Sequence, residues 1–479
     1  MSKPPHIVFI MADQLRYASC GFAGDGRATT PNIDRLAAEG VSFGNATSMH
    51  PVCGPYRASL FTGCHSSTTG YVINELDART DLPTLAGALN AHGYECEYIG
   101  KWHMHATCAK TEYGSPGGFH RDPANQFVPP GPHRYGFDAH WAAYNFNHQY
   151  YRGFYYRDAF ERIDIDGYEP DVQTDMAIER LRVASANDGP TFLCVSYGTP
   201  HQPWDCQNVP AEYLEQFNEG AFPLPENYAD GHGRYWHGWF DEEWWAESVK
   251  PQLPFWQRCY YAMTANLDWN VGRIRRALDR LGMAEDTLLV FTSDHGEMFG
   301  AHGRAQKNIH YDEAARVPLL MRLPSQIPAG QMSDACINTP DLMPTLLSFA
   351  GAAVPAPVEG MDLSHCARGD AGPEPDAALL QGMAPSVDWD DGFEWRAVRD
   401  KRYTYARFRA DGQEELFDNA RDPLQMTNLA DDAGHLGERE RLGGILDRRM
   451  AELGDGFERA TWYRDHWIED GHVRRGARG

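Results

Sequence analysis

A thiol, a proline and an arginine stand at alternate positions near the N-terminal end, as Cys53, Pro55 and Arg57. An apolar run follows and ends at Gly63. Proline suits the first turn of a helix and glycine its C-terminal cap, so Cys53 is predicted to lie just before a short buried helix. Free N–H groups at that end would lower the pKa of the thiol and attract an anion, and Arg57 would face the same spot. The spacing therefore predicts anion chemistry at Cys53, while an inert buried cysteine is the alternative.

Polar groups follow four of the apolar runs that predict buried strands. They are Asp13 and Gln14 after residues 7–11, Lys101 and His103 after 94–99, His201 after 191–197, and Asp294 and His295 after 287–292. Strands that alternate with helices predict a largely parallel sheet, whose ligands bind beyond the carboxyl ends of the strands. One aspartate after a strand is usually a cap or turn residue. Four such groups at one edge of a sheet instead predict a functional site.

The remaining pattern predicts two domains in an α/β protein. Helices are predicted at 32–39, 82–92, 171–184, 260–281, 341–350 and 436–453, and further strands at 317–322, 395–398, 402–408 and 415–418. Residues 104–170 and 204–258 are predicted to be mainly loops, and a linker rich in proline, alanine and glycine is predicted up to about 376. We therefore expect a mixed, mostly parallel sheet flanked by helices in residues 1–375 and a smaller antiparallel α+β domain in residues 376–479.

The composition argues against several classes of partner. The net charge of −24 disfavours nucleic acid and anionic membranes, so no partner of either kind is expected.

The ten cysteines are scattered without a C-x-x-C pair, which indicates reduced thiols. The first apolar run is too short for a signal peptide or a membrane span. A cytoplasmic protein is therefore expected, and an anion site in it must concentrate positive charge locally.

Taken together, these blocks resemble the type I sulfatases of the alkaline phosphatase superfamily. The resemblance runs over nearly the whole chain, through Cys53-x-Pro55-x-Arg57, Gly100-Lys101-Trp102-His103, Pro200-His201, Asp294-His295-Gly296 and the C-terminal Glu415-Leu416-Phe417-Asp418. The C-x-P-x-R pattern is loose by itself, and its order relative to the other blocks makes the match specific. The resemblance implies an alkaline-phosphatase-like fold and a hydrolase that acts on sulfate esters.

The resemblance also implies a modified nucleophile. In that family a separate formylglycine-generating enzyme oxidises the motif cysteine, so Cys53 is expected to become formylglycine, with unmodified Cys53 as the alternative. A hydrated aldehyde offers one hydroxyl to attack sulfur and a second to expel sulfate afterwards. A serine at the same place would leave a stable sulfate ester.

One divalent metal ion is implied beside residue 53, with Asp13, Gln14, Asp294 and His295 as its other ligands. Hard oxygen donors suit Ca²⁺, Mg²⁺ or Mn²⁺, and Ca²⁺ is favoured with Mn²⁺ next. The common sulfatase pattern has a second aspartate in place of Gln14 and often an asparagine in place of His295. The residues found here look like those of the phosphonate monoester hydrolases and of some choline-sulfatase-like members, and a phosphonate monoester or phosphodiester hydrolase is the alternative function.

The resemblance assigns roles to the other polar groups. Arg57 would hold the formylglycine hydrate and offset its charge. Lys101 and Lys307 would bind the sulfate oxygens and stabilise charge in the transition state. His201, with Lys307, would protonate the leaving alcohol, and His103 would take a proton from the hydrate to release sulfate.

Lys101 and His103 favour a sulfatase over a phosphonate hydrolase, which generally carries other polar residues in those places. Asn74 is a further candidate contact to the sulfate or phosphoryl group. No basic groove is evident, so the expected substrate is a small sulfate ester of the aryl or choline type. The tryptophans of the stretch 236–256 favour packing over a substrate pocket, and the aromatic run at 462–467 leaves a homo-oligomer open.

Two hypotheses from other classes remain. A non-catalytic anion-binding protein is opposed by the intact set of nucleophile, metal ligands and proton-transfer groups. A phosphatase that uses the Cys53 thiolate directly would need no modification of the residue.

Overall fold

Three central strands of the main sheet, His6–Asp13, Thr191–Pro200 and Thr287–Ser293, have both faces buried. The computed structural model describes residues 4–106, 123–230 and 245–479. In chain order its strands are β1 His6–Asp13, β2 Val41–Phe43, β3 Glu95–Lys101, β4 His140–Tyr144, β5 Phe154–Tyr155, β6 Ile163–Asp164, β7 Thr191–Pro200, β8 Thr287–Ser293, β9 Leu319–Arg322, β10 Gln331–Ser333, β11 Ala378–Gly382, β12 Trp395–Arg399, β13 Tyr403–Phe408, β14 Glu414–Asp418, β15 Ile468–Glu469 and β16 His472–Val473. Along β1, Ile7 and Phe9 pack into one apolar cluster while Val8 and Ile10 pack into the other. A strand covered on both faces reads as a continuous apolar run, as its sequence does.

The eight-stranded sheet has the order β10-β2-β9-β8-β1-β7-β3-β4. The strand β1 is parallel to both β7 and β8, and β3 is parallel to both β7 and β4. Only β9 runs antiparallel to its neighbours, β8 and β2. The predicted mixed, mostly parallel sheet is confirmed, and the carboxyl ends of β8, β1, β7 and β3 lie side by side at one edge.

Helices cover both faces of this sheet. In chain order the α-helices of the described residues are α1 Pro31–Glu39, α2 Cys53–Thr62, α3 Ser66–Thr69, α4 Leu85–Ala91, α5 Glu169–Ser185, α6 Ala211–Leu214, α7 Leu253–Arg280, α8 Asp312–Ala315, α9 Thr339–Ala350, α10 Ser364–Arg368, α11 Leu436–Leu453 and α12 Ala460–Trp467. On one face α5 packs against α7, and on the other α2 packs against α9 and α4. Since α2 is enclosed on all sides, every one of its ten residues is buried.

A separate antiparallel sheet, β11-β12-β13-β14, forms the C-terminal part together with α11. It also holds a loop of the larger sheet in place. Asn308 donates its side-chain amide to the carbonyl of Ala384, and Trp395 Nε1 donates to the carbonyl of Asn308. These bonds attach the residue next to Lys307 to the C-terminal sheet. A division of the chain at residues 375 and 376 stays a prediction.

The structure corrects several predicted boundaries. The stretch 104–170 is more than a loop, because β4, β5, β6 and the start of α5 lie in its described part. The long helix begins at Leu253, where Pro254 suits the first turn, rather than at 260. The strand β11 was missed because Ala-Leu-Leu-Gln-Gly contains no β-branched or aromatic residue. The predicted linker contains the short helix α10.

Two aromatic stretches bear on predictions made from the sequence. Trp236, Trp239 and Trp244 lie outside the described residues, whereas Trp245 is buried and donates Nε1 to the Tyr228 hydroxyl. In the run at 462–467, Tyr463 and Trp467 are buried against the chain's own core rather than exposed for another copy. Among the described residues, no helix is both long enough and apolar enough to cross a membrane.

One glycine of β3 is expected to be irreplaceable. Gly100 has a φ of +106°, and a Cβ there would lie 2.0 Å from the carbonyl oxygen of Ser196 on β7. Gly100→Ala is therefore expected to lower the free energy of unfolding by more than about 3 kcal/mol, measured by urea denaturation. Gly93, with a φ of +91° and no atom within 4 Å of a new Cβ, is the matched control. Gly93→Ala should cost about 1 kcal/mol from backbone strain alone, and equal losses in the two variants would contradict the predicted clash.

Candidate functional site

The four polar groups predicted to meet do meet at the carboxyl edge of the sheet. Asp13 ends β1, Asp294 follows β8, Lys101 ends β3 and His201 follows β7. Their strands are neighbours in the order β8-β1-β7-β3, so the side chains converge without long loops. All four residues are buried.

Cys53 is the first residue of α2, whereas the sequence predicted that it would lie just before the helix. Gly63 caps the helix with a φ of +66°. Its Sγ lies 3.1 Å from His295 Nε2, 3.6 Å from Asp13 Oδ1 and 3.9 Å from Lys101 Nζ. The predicted lowering of the thiol pKa is wrong. Burial, followed by the Asp13 carboxylate, raises the pKa of Cys53 to about 11. Without a metal cation beside it, ionisation of the unmodified thiol is therefore disfavoured here.

Arg57 binds both acidic residues of the site. Its Nη2 donates to Asp13 Oδ2 at 3.3 Å and to Asp294 Oδ2 at 3.2 Å, while Nη1 donates to the carbonyl of Lys101 and to Ser196 Oγ at 2.6 and 2.8 Å. The guanidinium is fully buried. An arginine with five fixed donors can bridge two carboxylates in this way where a lysine cannot.

Lys101 supplies a second buried cation. Its Nζ donates to Asp13 Oδ2 at 2.6 Å. Burial acts against the charge on Lys101, but the Asp13 carboxylate and Cys53 outweigh burial and the pKa of Lys101 is raised. On the carboxylate side, burial would raise the pKa of Asp13, yet Lys101 and the neighbouring cations hold it well below its usual range. This local concentration of positive charge is what an anion site in a strongly acidic protein requires.

The carboxylate oxygens of Asp13 and Asp294 that Arg57 and Lys101 do not bind lie beside Cys53 and His295, and these donor atoms suit a metal ion. Ligand atoms of Asp13, Cys53, Asp294 and His295 lie within 4.8 Å of one another. His295 Nδ1 lies 2.9 Å from the carbonyl oxygen of Gly296, which can only accept, so Nδ1 carries the proton and Nε2 presents its lone pair to the cluster. Because Arg57 and Lys101 engage the Oδ2 atoms, the Oδ1 atoms of both aspartates face His295 at 3.8 and 3.6 Å. Two carboxylates and one oriented imidazole fit a divalent cation.

Gln14 connects the metal-ligand cluster to the leaving-group side of the site. Its backbone N–H donates to Asp294 Oδ1, and its side-chain oxygen accepts a hydrogen bond from Lys307 Nζ at 2.8 Å. The amide nitrogen donates to Glu297 Oε2 at 2.6 Å. Gln14 takes a φ of +73°, a left-handed conformation that is uncommon outside glycine and turns the side chain away from the strand direction.

His201 and Lys307 form a hydrogen-bonded pair. The Nδ1 of His201 lies 2.9 Å from the carbonyl oxygen of Gln202 and therefore donates to it, while Nε2 accepts from Lys307 Nζ at 3.0 Å. Burial and then the Lys307 charge lower the pKa of His201 well below its usual value. The imidazole is thus neutral and the ammonium of Lys307 carries the proton of the pair. The ring of His201 stacks on His148 at 4.3 Å.

The two remaining predicted residues lie on the Cys53 side. His103 is buried with a φ of +61° and packs edge-on to Phe146, and burial followed by Lys101 lowers its pKa well below the usual value. It is therefore neutral and able to accept a proton. Asn74 Oδ1 accepts from the Gly54 N–H at 2.8 Å, which fixes the first turn of α2.

Several residues that build the site were missed by the sequence analysis. Ser196 and Glu297 hold Arg57 and Gln14, and Gly54 gives α2 room beside the Tyr71 ring, which a Cβ there would approach to 2.4 Å. Glu297 lies three positions after Asp294 and was a readable signal, since a buried acid so close to a metal-type motif needs a partner. Ser196 and Gly54 give no signal before the fold is known.

Comparisons with known proteins extend over the whole chain. The family model described as "Sulfatase" matches residues 5–352, and the model described as "N-sulphoglucosamine sulphohydrolase, C-terminal" matches residues 300–452. A relative named "Ulvan-active sulfatase" from Formosa agariphila is 34% identical over 470 residues, covering 96% of this chain and 83% of its own.

Solved structures agree with the fold. The putative sulfatase yidJ from Bacteroides fragilis superposes with a TM-score of 0.80 at 29% identity, covering 97% of this chain and 98% of its own. The phosphonate monoester hydrolase of Agrobacterium radiobacter superposes with a TM-score of 0.71 at 24% identity, covering 98% and 100%, which is a likeness of fold alone.

Proposed function

This chain belongs to the sulfatase family of sulfuric ester hydrolases, and from that premise we propose that it hydrolyses a sulfate monoester through a formylglycine made from Cys53. The observation that carries the proposal is the surroundings of Cys53 Sγ. Lys101 lies 3.9 Å away on one side, and His295 and Asp13 lie 3.1 and 3.6 Å away on the other. A nucleophile at this point is flanked by a cation for the sulfate and by ligands for a metal ion.

The proposal also includes a metal ion and a modified side chain at residue 53. Asp13, Asp294, His295 and Gln14 would hold a divalent cation beside residue 53, with Ca²⁺ favoured and Mn²⁺ or Mg²⁺ next, and such an ion would supply positive charge for the nucleophile and the sulfate oxygens. A formylglycine hydrate supplies one hydroxyl for attack and a second for release of sulfate, and a formylglycine-generating enzyme is the maturation partner.

The chain's own residues divide the remaining work. Arg57 orients the two aspartates and holds the position of residue 53. Lys101 and Lys307 bind sulfate oxygens and stabilise the charge that develops on them. Proton donation to the leaving alcohol comes from the Lys307–His201 pair, with Lys307 as the charged member. His103, neutral and buried, accepts the proton that must leave residue 53 when sulfate is released.

The substrate proposed is a small sulfate monoester of the aryl or choline type. The name of the Formosa agariphila relative, "Ulvan-active sulfatase", gives ulvan as a second substrate to test. A phosphonate monoester or phosphodiester is the alternative, favoured by Gln14 and His295 and opposed by Lys101 and His103.

The deciding experiment compares kcat/KM for an aryl sulfate and for an aryl phosphonate monoester on one preparation. Mass spectrometry first establishes the fraction of Cys53 that is converted, and rates are expressed per converted chain. A ratio well above one supports the sulfatase proposal, and a ratio well below one supports the phosphonate hydrolase. Ulvan tested beside the aryl sulfate separates the two candidate substrates.

A leaving-group test addresses the Lys307–His201 pair. Lys307→Met is expected to lower kcat/KM about 10²–10⁴-fold for an alkyl sulfate, whose alkoxide must be protonated. For 4-nitrophenyl sulfate, whose leaving group is a stable anion, the loss should be much smaller. Kinetics with both esters on both proteins provide the measurement. Equal losses for the two esters would mean that Lys307 binds sulfate without donating a proton.

A further inference from the structure

A second cluster of metal-ligand residues lies beside the segment that carries His103. Ligand atoms of Asp77, His105 and His133 lie within 4.8 Å of one another. Asp77 and His105 are buried, and the side chain of His133 is 32% exposed. The three residues come from separate parts of the chain: a loop after α3, the segment after β3, and the single turn Pro132–Arg134. None of them belongs to the site around Cys53.

The geometry places two imidazole nitrogens on one carboxylate oxygen. Asp77 Oδ1 lies 2.6 Å from His105 Nδ1 and 3.3 Å from His133 Nδ1, and the two rings are 4.5 Å apart. Ligand atoms held about 2.0–2.1 Å from a tetrahedral ion are separated by about 3.3 Å, so one distance already fits and the other needs an opening of about 0.7 Å. The partly exposed side of His133 leaves room for a further ligand from solvent.

A fourth residue orients the carboxylate. His472, on the short C-terminal strand β16, places Nδ1 2.8 Å from Asp77 Oδ2, the oxygen that the other two histidines do not use. The backbone supports this contact, because Val473 N donates to the Asp77 carbonyl. A second partner that holds a metal-binding carboxylate through its other oxygen is a common device at metal sites.

We propose that Asp77, His105 and His133 form a second metal site, selective for Zn²⁺ or a similar borderline cation, with His472 positioning the carboxylate. Two imidazoles and one carboxylate are the ligand set of open zinc sites, and they differ from the oxygen-rich set that favours Ca²⁺. The bound ion tethers the C-terminal hairpin to the segment two residues beyond His103. The proposal is independent of the reaction proposed at Cys53.

The test is the number of Zn²⁺ ions bound per chain after equilibrium dialysis with excess Zn²⁺, measured by elemental analysis. His133→Ala changes a partly exposed side chain and is not expected to disturb folding. It should bind one Zn²⁺ fewer than the wild-type protein, and His105→Ala should do the same. His472→Ala should keep the stoichiometry but weaken the affinity about 10–100-fold.

The matched control is His435→Ala. His435 lies 2.6 Å from Asp432 Oδ1 in an exposed pair that has no further histidine near it among the described residues. Its loss should leave the zinc stoichiometry unchanged. Equal stoichiometry in wild-type, His133→Ala and His105→Ala proteins, each verified as folded by circular dichroism, would overturn the proposal, because the site around Cys53 is common to all of them.

Discussion

Cys53→Ala is expected to lower kcat/KM for an aryl sulfate at least about 10⁴-fold while leaving the protein folded. The side chain lost is the proposed precursor of the nucleophile. The neighbours of Sγ, which are His295, Asp13 and Lys101, keep their partners in Gly296 and Arg57 or with one another, so no buried charge is left without a counter-charge. Steady-state kinetics and a thermal unfolding curve on the same preparation measure both halves of the prediction.

Cys64→Ala is the matched control for this change. Cys64 is also a buried free thiol, one residue beyond the Gly63 cap, and its Sγ donates to the backbone carbonyls of Thr62 and Pro357. The control should keep full activity. Retention of more than a few per cent of activity by Cys53→Ala would mean that another group attacks sulfur, and the proposed role of residue 53 would be abandoned.

Arg57→Ala is expected to lower the free energy of unfolding by about 3–5 kcal/mol in the presence of a chelator. The guanidinium is fully buried between Asp13 and Asp294, and its removal takes the arginine partner from Asp294 and leaves Asp13 paired with Lys101. A divalent cation placed between the two carboxylates offsets part of this loss. The loss measured by urea denaturation should therefore be smaller with Ca²⁺ or Mn²⁺ than with chelator.

Arg396→Ala separates the metal effect from the general cost of removing a buried arginine. Arg396 is equally buried and pairs with Asp455 through two nitrogens, at 2.6 and 2.8 Å. Its replacement should also cost several kcal/mol, but the loss should not depend on the metal ion. If the two variants respond alike to the cation, the carboxylates held by Arg57 do not form the metal site.

The sequence predicted which polar residues come together at the strand ends better than it predicted the helices and strands of the chain. Strand ends were readable because a doubly covered parallel strand is an apolar run that stops where a polar side chain enters the site, as at Asp13 and Asp294. Strand β11 was not readable, because its pairing with β12 rather than its own composition makes it a strand. Local propensity decides little where tertiary contacts supply most of the stability.

The direction of the pKa shift of Cys53 was the prediction from the local sequence that failed most clearly. The start of a helix favours a thiolate, but the predicted effect of α2 on the pKa is outweighed by complete burial and by the Asp13 carboxylate 3.6 Å away. The motif predicts a buried helix after Cys53, but neither the burial of the thiol itself nor its distance from a residue forty positions away can be read from it. The neutral state of His201 has the same origin, since it depends on where the Lys307 loop lies.

Because α2 is enclosed in the folded protein, any enzymatic modification of residue 53 must take place before folding is complete. All ten residues of the helix are buried and Cys53 is 1% exposed, so no separate protein can bind the motif once the chain has folded. A modifying enzyme would have to reach the chain before strands β7 and β8, more than a hundred residues downstream, have packed over the motif. The fraction of chains that are modified then depends on the rate of modification relative to the rate of folding. Slower translation, or a lower growth temperature, should raise the modified fraction, whereas a variant that folds faster should be less completely modified.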